Sequence, residues 1–289
     1  TDSFSAGAMK KWGLDYEGLR KINPKIIAAS SCLMGQTGPM AKYAGFGTMA
    51  AAIAGFYPIT GWADRTPSGP YSAFTDYGSP RFTVLALVSA LHHRLKTGEG
   101  QYIDFSQLEG ALHFLAPALL DKEVNGVVAT RMGNRDAVFA PQNAYPCIGE
   151  DSWIALSCET DEHWRALSLV IGYEEIADLN VGERRARHDY LDEIIGQWTS
   201  RKSVADAEKA LISAGVPAHR VLGVNSISED EQLRFHKAFV EVEHGTCGTS
   251  WVEATPIKLS ATPAVVTDAA PTYGQHSFKV LTEILNYSE

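Results

Sequence analysis

The stretch SPRFTVLALVSALHHRLKTGEGQYIDF, residues 79–105, constrains the fold more than any other part of the chain. Phe82, Leu85, Val88 and Leu95 recur near helical spacing, which predicts an apolar helix stripe. Ser79 suits an N-cap and Pro80 the first helical position. His92, His93, Arg94 and Lys96 crowd the last turn, where cations favour the helix dipole, and Gly98 stops the helix. QYIDF then alternates as a strand, with Tyr102 and Asp104 on one face and Ile103 and Phe105 on the other. Upstream, KIIAAS (residues 25–30) is a short apolar run suited to a buried parallel strand. Strands and helices that alternate in this way predict an α/β fold.

The remaining punctuation extends the pattern. FGTMAAAIAGF (46–56) reads as a small-residue helix, too short and too rich in Ala and Gly for a membrane span. Ser106 and Glu109 stand at capping-box spacing, opening a helix that runs through Leu112, Leu115 and Leu119 to Asn125-Gly126. Residues 126–144 hold no period and carry Gly, Asn, Asp and Pro, as a linker or long functional loop would. A second block follows: the strand WIALSC, a Thr160-capped helix ending at Gly172, helices over 190–199 and 204–214, and the strand VPAHRVL. The tail beyond 225 mixes an acidic turn, an extended Pro- and Thr-rich piece and a last helix near 277–285. No internal repeat is visible.

A net charge of −9 with no Lys/Arg run argues against a nucleic-acid or anionic-membrane partner. Cys32, Cys147, Cys158 and Cys247 are scattered without a C-x-x-C pair, so neither a metal clip nor a disulfide framework is predicted. A reducing cytoplasm suits such a chain, and its first residues lack the order of a signal peptide.

Phosphate-loop, nucleophile-elbow and zincin motifs are missing. His92 and His93 are helical neighbours and do not share a face. Asp76, in SAFTDYGSPRF, lies just ahead of the predicted helix mouth. Its carboxylate, with an ordinary pKa of about 3.9, needs no general base to act as a nucleophile. Free N–H groups of a following helix would favour an anion there. On the residues alone, an Asp before Gly and Pro reads first as a turn or cap residue.

Several motifs in one order carry a resemblance. From KKWGLDYEGLRKINPKIIAASSCLMGQTGP to HRLKTGEGQYIDFSQLEGAL, and again at GVPAHRVLGVNSISEDEQLRFHKAFVEVEH and KLSATP, the sequence resembles the class III CoA-transferases (formyl-CoA transferase-like, CaiB/BaiF) over nearly its whole length. In that family the nucleophile is an aspartate just before the helix leading into R-x-x-T-G-x-G-Q. RLKTGEGQ (94–101) sets the register, and the matching aspartate is Asp76. The resemblance implies a Rossmann-like large domain, truncated at its N-terminus, plus a small α/β domain, in an interlocked dimer. The large domain would span 1–125, the active-site loop 126–144 and the small domain 145–224, with 225–289 returning to the large domain.

It also implies an acyl-CoA:carboxylate CoA-transferase, with succinyl-CoA as a candidate donor and aromatic or dicarboxylic acids as acceptors. The expected intermediates are an aspartyl-acyl anhydride and an aspartyl-CoA thioester. Coenzyme A is a substrate here, and no permanently bound cofactor or metal is implied. The loop Cys32, Leu33, Met34 and Gly35 matches a CoA contact of the family, or is an ordinary strand-end loop. Gln107 matches a position near the nucleophile, or is a solvent-facing helix start. Gly133, Asn134 and Arg135 fall in the family's mobile glycine-rich cover, of which GNRDAVFAPQ keeps one glycine.

Two departures qualify the match. The related racemases place a histidine where this chain has Phe46, which sets an α-methylacyl-CoA racemase behind the transferase. The sequence also begins after a long N-terminal region of the family, so a homodimer of a longer protein, a heteromer with a chain supplying that region, or a non-catalytic subunit are the alternatives.

Overall fold

The alternation read from residues 25–106 is realised in the computed structural model, which describes residues 1–288. Two short helices, α1 (Ala8–Lys11) and α2 (Tyr16–Ile22), precede strand β1 (Ala28–Cys32). Helices α3 (Gly47–Ala54) and α4 (Phe74–Thr97) then lead to strand β2 (Tyr102–Ser106), which pairs parallel to β1 with Cys32 opposite Ser106. Both strands therefore end side by side. In open parallel sheets that carboxyl edge is where ligands are held.

The chain divides into two compact units, the first made of Thr1–Ala144 and Leu156–Ile194, the second of Tyr145–Ala155 and the residues from Ile195 onward. In the first unit, α5 (Gln107–Leu112) and α6 (Ala116–Asn125) follow β2, separated by a 3-10 turn over His113–Leu115. Ala51, Ala54, Phe56, Ala111 and Leu115 form a small core between α3 and α5, with Phe74 and Leu108 packed against it. Alanines at the contact let the helix axes approach closely, so the beginnings of α3, α4 and α5 converge.

Later come β3 (Gln142–Pro146), β4 (Trp153–Ser157), α7 (Asp161–Ile171), α8 (Val181–Ala186) and α9 (His188–Thr199). Thr160 caps α7 through the His163 N–H and Gly172 closes it in the left-handed region, as the sequence predicts. The second unit holds α10 (Val204–Ser213), β5 (Ala218–Arg220), α11 (Val224–Ile227), α12 (Glu231–Phe235) and an antiparallel hairpin, β6 (Phe239–His244) with β7 (Gly248–Glu253). A three-residue helix, α13 (Ser277–Lys279), and a π turn end it. Strands β3, β4 and β5 form a three-stranded sheet in that order.

Two sequence expectations are corrected. Helix α4 begins at Phe74, not Ser79, so Asp76 lies in its first turn and Pro80 inside it. Pro80 offers no N–H to the Asp76 carbonyl, and the Ser79 hydroxyl covers the Thr75 carbonyl; together they allow an imperfect first turn to stay helical. Phe74 anchors that turn through ring contacts with Phe56 and Phe114 at 5.1 and 5.5 Å. The predicted apolar stripe, moreover, is not core: Leu85, Val88 and Leu95 are exposed, while Ala90 is the buried position of that stretch.

Candidate active site

Three helix beginnings meet around one carboxylate. Asp76 is the third residue of α4, and its Oδ2 accepts a hydrogen bond from the backbone N–H of Gly47, the first residue of α3, at 3.2 Å. An N-terminal N–H has no partner within its own helix, and the helix dipole favours an anion there. Gly47 has to be glycine: a Cβ would stand 2.8 Å from Asp76 Cγ and 2.9 Å from Thr75 Oγ1. Asp76 itself is exposed, and no Lys, Arg or His lies within ion-pair distance of it among the described residues. A carboxylate left without a cation keeps its second oxygen free to attack.

Thr75 and Gln107 complete the corner. The Thr75 side chain is buried, and its hydroxyl faces the Gly47 carbonyl at 3.1 Å and Gln107 Oε1 at 3.3 Å. Gln107 opens α5 directly after β2, behind the Ser106 cap whose hydroxyl accepts from the Glu109 N–H. Sequence reading pointed to Asp76 and Gln107 and missed Gly47 and Thr75. Both act through contacts more than 25 residues apart in the chain, which no local pattern encodes.

The Cys32–Gly35 loop leaves β1 at the same edge. The Leu33 carbonyl accepts from the Leu108 N–H at 3.0 Å, tying the loop to the start of α5. Cys32, Leu33 and Met34 turn their side chains inward, and Leu33 and Met34 pack with Ala50 of α3. Burial, then the charge of Asp104, pushes the Cys32 thiol up, so it stays protonated and unreactive. Gly35 turns the chain at φ +82°, beside Asp104, whose carboxylate accepts from the Gln36 N–H at 2.9 Å.

Gly133, Asn134 and Arg135 are not bonded to this corner. The Gly133 N–H reaches the Gly61 carbonyl at 2.8 Å, and a Cβ there would meet the Trp62 ring at 2.9 Å. Arg135 forms ion pairs with Asp192 at 2.6 Å and Asp189 at 2.7 Å on α9. With Asn134, Trp62 and Arg131 it lines a cleft of about 510 Å³. Among the described residues no group of three or more His, Cys, Asp or Glu side chains is placed to hold a metal ion, and no helix is long and apolar enough to cross a membrane.

Comparison with known proteins shows the family. A succinyl-CoA–D-citramalate CoA-transferase of Chloroflexus aurantiacus is 30% identical over 292 residues, spanning 100% of this chain and 72% of its own. The beta subunit of a succinyl-CoA–L-malate CoA-transferase from the same organism is 28% identical across 98% of this chain and 72% of that one. A crystal structure of a CAIB/BAIF family protein from Brucella suis superposes with a TM-score of 0.88 at 28% identity, covering 98% of this chain and 74% of that one. The model of CoA-transferase family III matches residues 1–277, and the chain belongs to that family.

Proposed function

We propose that Asp76 is the nucleophile through which this acyl-CoA:carboxylate CoA-transferase passes CoA from one acid to another. The observation that carries the reading is the carboxylate of Asp76, unpaired with any cation among the described residues and accepting the first N–H of α3 at the carboxyl edge of a parallel sheet. One Asp76 oxygen attacks the thioester carbon, the C–S bond breaks, and CoA leaves as a thiolate from an aspartyl-acyl anhydride. The thiolate attacks the aspartyl carbonyl, which releases the donor carboxylate and forms an aspartyl-CoA thioester. An acceptor carboxylate then attacks that thioester to give a new anhydride and thiolate. The thiolate takes the acceptor's acyl group and frees Asp76. Each thioester broken is remade, so no external energy source enters. Orientation in such a sequence is worth roughly 7–11 kcal/mol.

The relatives' donors and acceptors, succinyl-CoA with the dicarboxylates citramalate and malate, give the substrate class favoured here. The Cys32–Gly35 loop contacts CoA through its backbone, since its three side chains are buried and Gly35 has none. The anhydride must be kept from water. Asp76 is exposed on this chain, so its cover comes from a second protomer of an interlocked dimer or from a chain segment such as the relatives carry beyond the matched part. Residues 133–135 serve as the active-site loop, clamped by Arg135 rather than hinged on glycines. We retain the division into a Rossmann-like domain over 1–125, a loop over 126–144, a small domain over 145–224 and a returning tail as part of this proposal. Cytoplasmic residence fits the free thiols.

The test is isotope exchange. Incubation with succinyl-CoA and labelled succinate should place label in the thioester through the anhydride, and unlabelled thioester after many enzyme turnovers would refute the reading. The racemase alternative lacks its second base, because Phe46 occupies that position. It predicts solvent deuterium at the substrate α-carbon. The beta-subunit relative supports one further alternative, a subunit that only completes a partner's site. That reading requires Asp76→Ala to leave the assembled complex active.

A further inference from the structure

We propose that Thr75 is a positioning residue of the Asp76 site, holding the Gln107 carboxamide so that its Nε2 donates to the carbonyl oxygen that turns negative when the anhydride and thioester are attacked. The inference rests on the Asp76 reading and names the groups that serve its transition states. Thr75 is 2% exposed, so its hydroxyl has no water to turn to and must be satisfied within the protein. A hydroxyl carries one proton, and the two acceptors facing this one are the Gly47 carbonyl and Gln107 Oε1. That single group therefore joins the start of α3, which supplies the N–H bonded to Asp76, to the start of α5, which supplies the carboxamide. The Oε1 end of the amide faces that hydroxyl, which leaves the Nε2 end turned away from it. Oε1 is engaged by Thr75, and Nε2 keeps its donors unspent among the described residues.

The chemistry calls for such a donor. In every step of the exchange a carbonyl carbon becomes tetrahedral and its oxygen gains a full charge. The Gly47 N–H can meet one such oxygen. An oxyanion is held best by two preorganised donors, and losing one costs about 10²–10³ in rate. Gln107 lies at the carboxyl end of β2, on the edge where Asp76 and the Cys32–Gly35 loop also stand. Thr75 does not touch the reacting atoms. Its part is to prevent the amide from rotating, and thereby from turning its oxygen toward the developing anion.

The experiment compares four variants of the complete protein by CoA exchange kinetics. Gln107→Glu, which puts a negative oxygen where a donor stood, should lower kcat more than Gln107→Ala, whose loss should be about 10²-fold. Thr75→Val, of matching shape but without the hydroxyl, should lower kcat about tenfold or more with KM little changed, and Thr75→Ser should restore it. Wild-type kcat in Thr75→Val, or a Gln107→Glu variant as active as the parent, would overturn the inference. If Thr75→Val fails to fold, the order of the two Gln107 variants decides the matter alone. Hydroxylamine capture at Asp76 in the parent protein separates the two claims. Capture at Asp76 with a fully active Thr75→Val sinks this inference only, whereas no capture at Asp76 sinks the reading beneath it.

Discussion

Carboxylates in two regions of the first unit are treated in opposite ways. Around Arg135 and Arg184, acids are paired: Asp189 and Asp192 with Arg135, and Asp161 with Arg184 at 2.6 Å. Arg184 is fully buried and also donates to the Ala140 and Leu179 carbonyls. At the corner of α3, α4 and α5, by contrast, Asp76 has one backbone N–H and, among the described residues, no cation. The first region shows carboxylates whose charge is neutralised by a guanidinium. The second shows a carboxylate held in place yet left available. Holding an anion with a backbone dipole orients it without the strong pairing that would dull a nucleophile.

The contrast can be broken most directly at the acids themselves. Asp76→Asn, which keeps the shape and removes the nucleophile, should reduce exchange by about 10³-fold or more, while Asp189→Asn, at an exposed ion pair, should leave kcat within about twofold. Parallel losses in both variants would erase the distinction. Arg184→Leu leaves two buried carbonyls without their donor and should cost about 3 kcal/mol in a denaturant titration, with the activity of the folded fraction retained. Gly47→Ala presses a methyl group against Asp76 and Thr75. Steady-state kinetics should show kcat down about 10²-fold, because misplacing a reacting group by an ångström is enough for that.

The smallest effect concerns Glu208 and Arg220 in the second unit, joined at 2.9 Å. Burial raises the Glu208 carboxyl, and hydrogen bonds from Arg220 more than reverse this, leaving it below its usual 4.5. A lowered folded-state value stabilises the protein above the unfolded value, and the gain is lost as pH falls through the lowered one. Glu208→Gln should therefore lower the denaturant midpoint at neutral pH by the equivalent of about 1 kcal/mol or less, and the gap should close below pH 4.5. A gap that persists in acid would show that the pair acts through packing rather than charge.

Much of the frame was legible because its signals are local. Thr160 and Gly172 bound α7 where the caps predicted, and the QYIDF alternation became β2. The start of α4 was not legible, because Gly78 and Pro80 read as a turn until Phe74 is seen packed between Phe56 and Phe114. The hairpin of β6 and β7 was not read, although FVEVEH alternates at period two. Asp76 and Gln107 were singled out through the resemblance, whereas the contacts of Gly47 and Thr75 emerge only when helices distant in sequence come together.

One measurement bears on the nucleophile itself. The protein, assembled with whatever chain completes its site, is mixed with succinyl-CoA, quenched with hydroxylamine, digested and mapped by mass spectrometry. The account predicts a hydroxamate on the peptide containing Asp76, absent without thioester and absent in Asp76→Asn. An active enzyme that carries the modification on another residue, or on none, would contradict it.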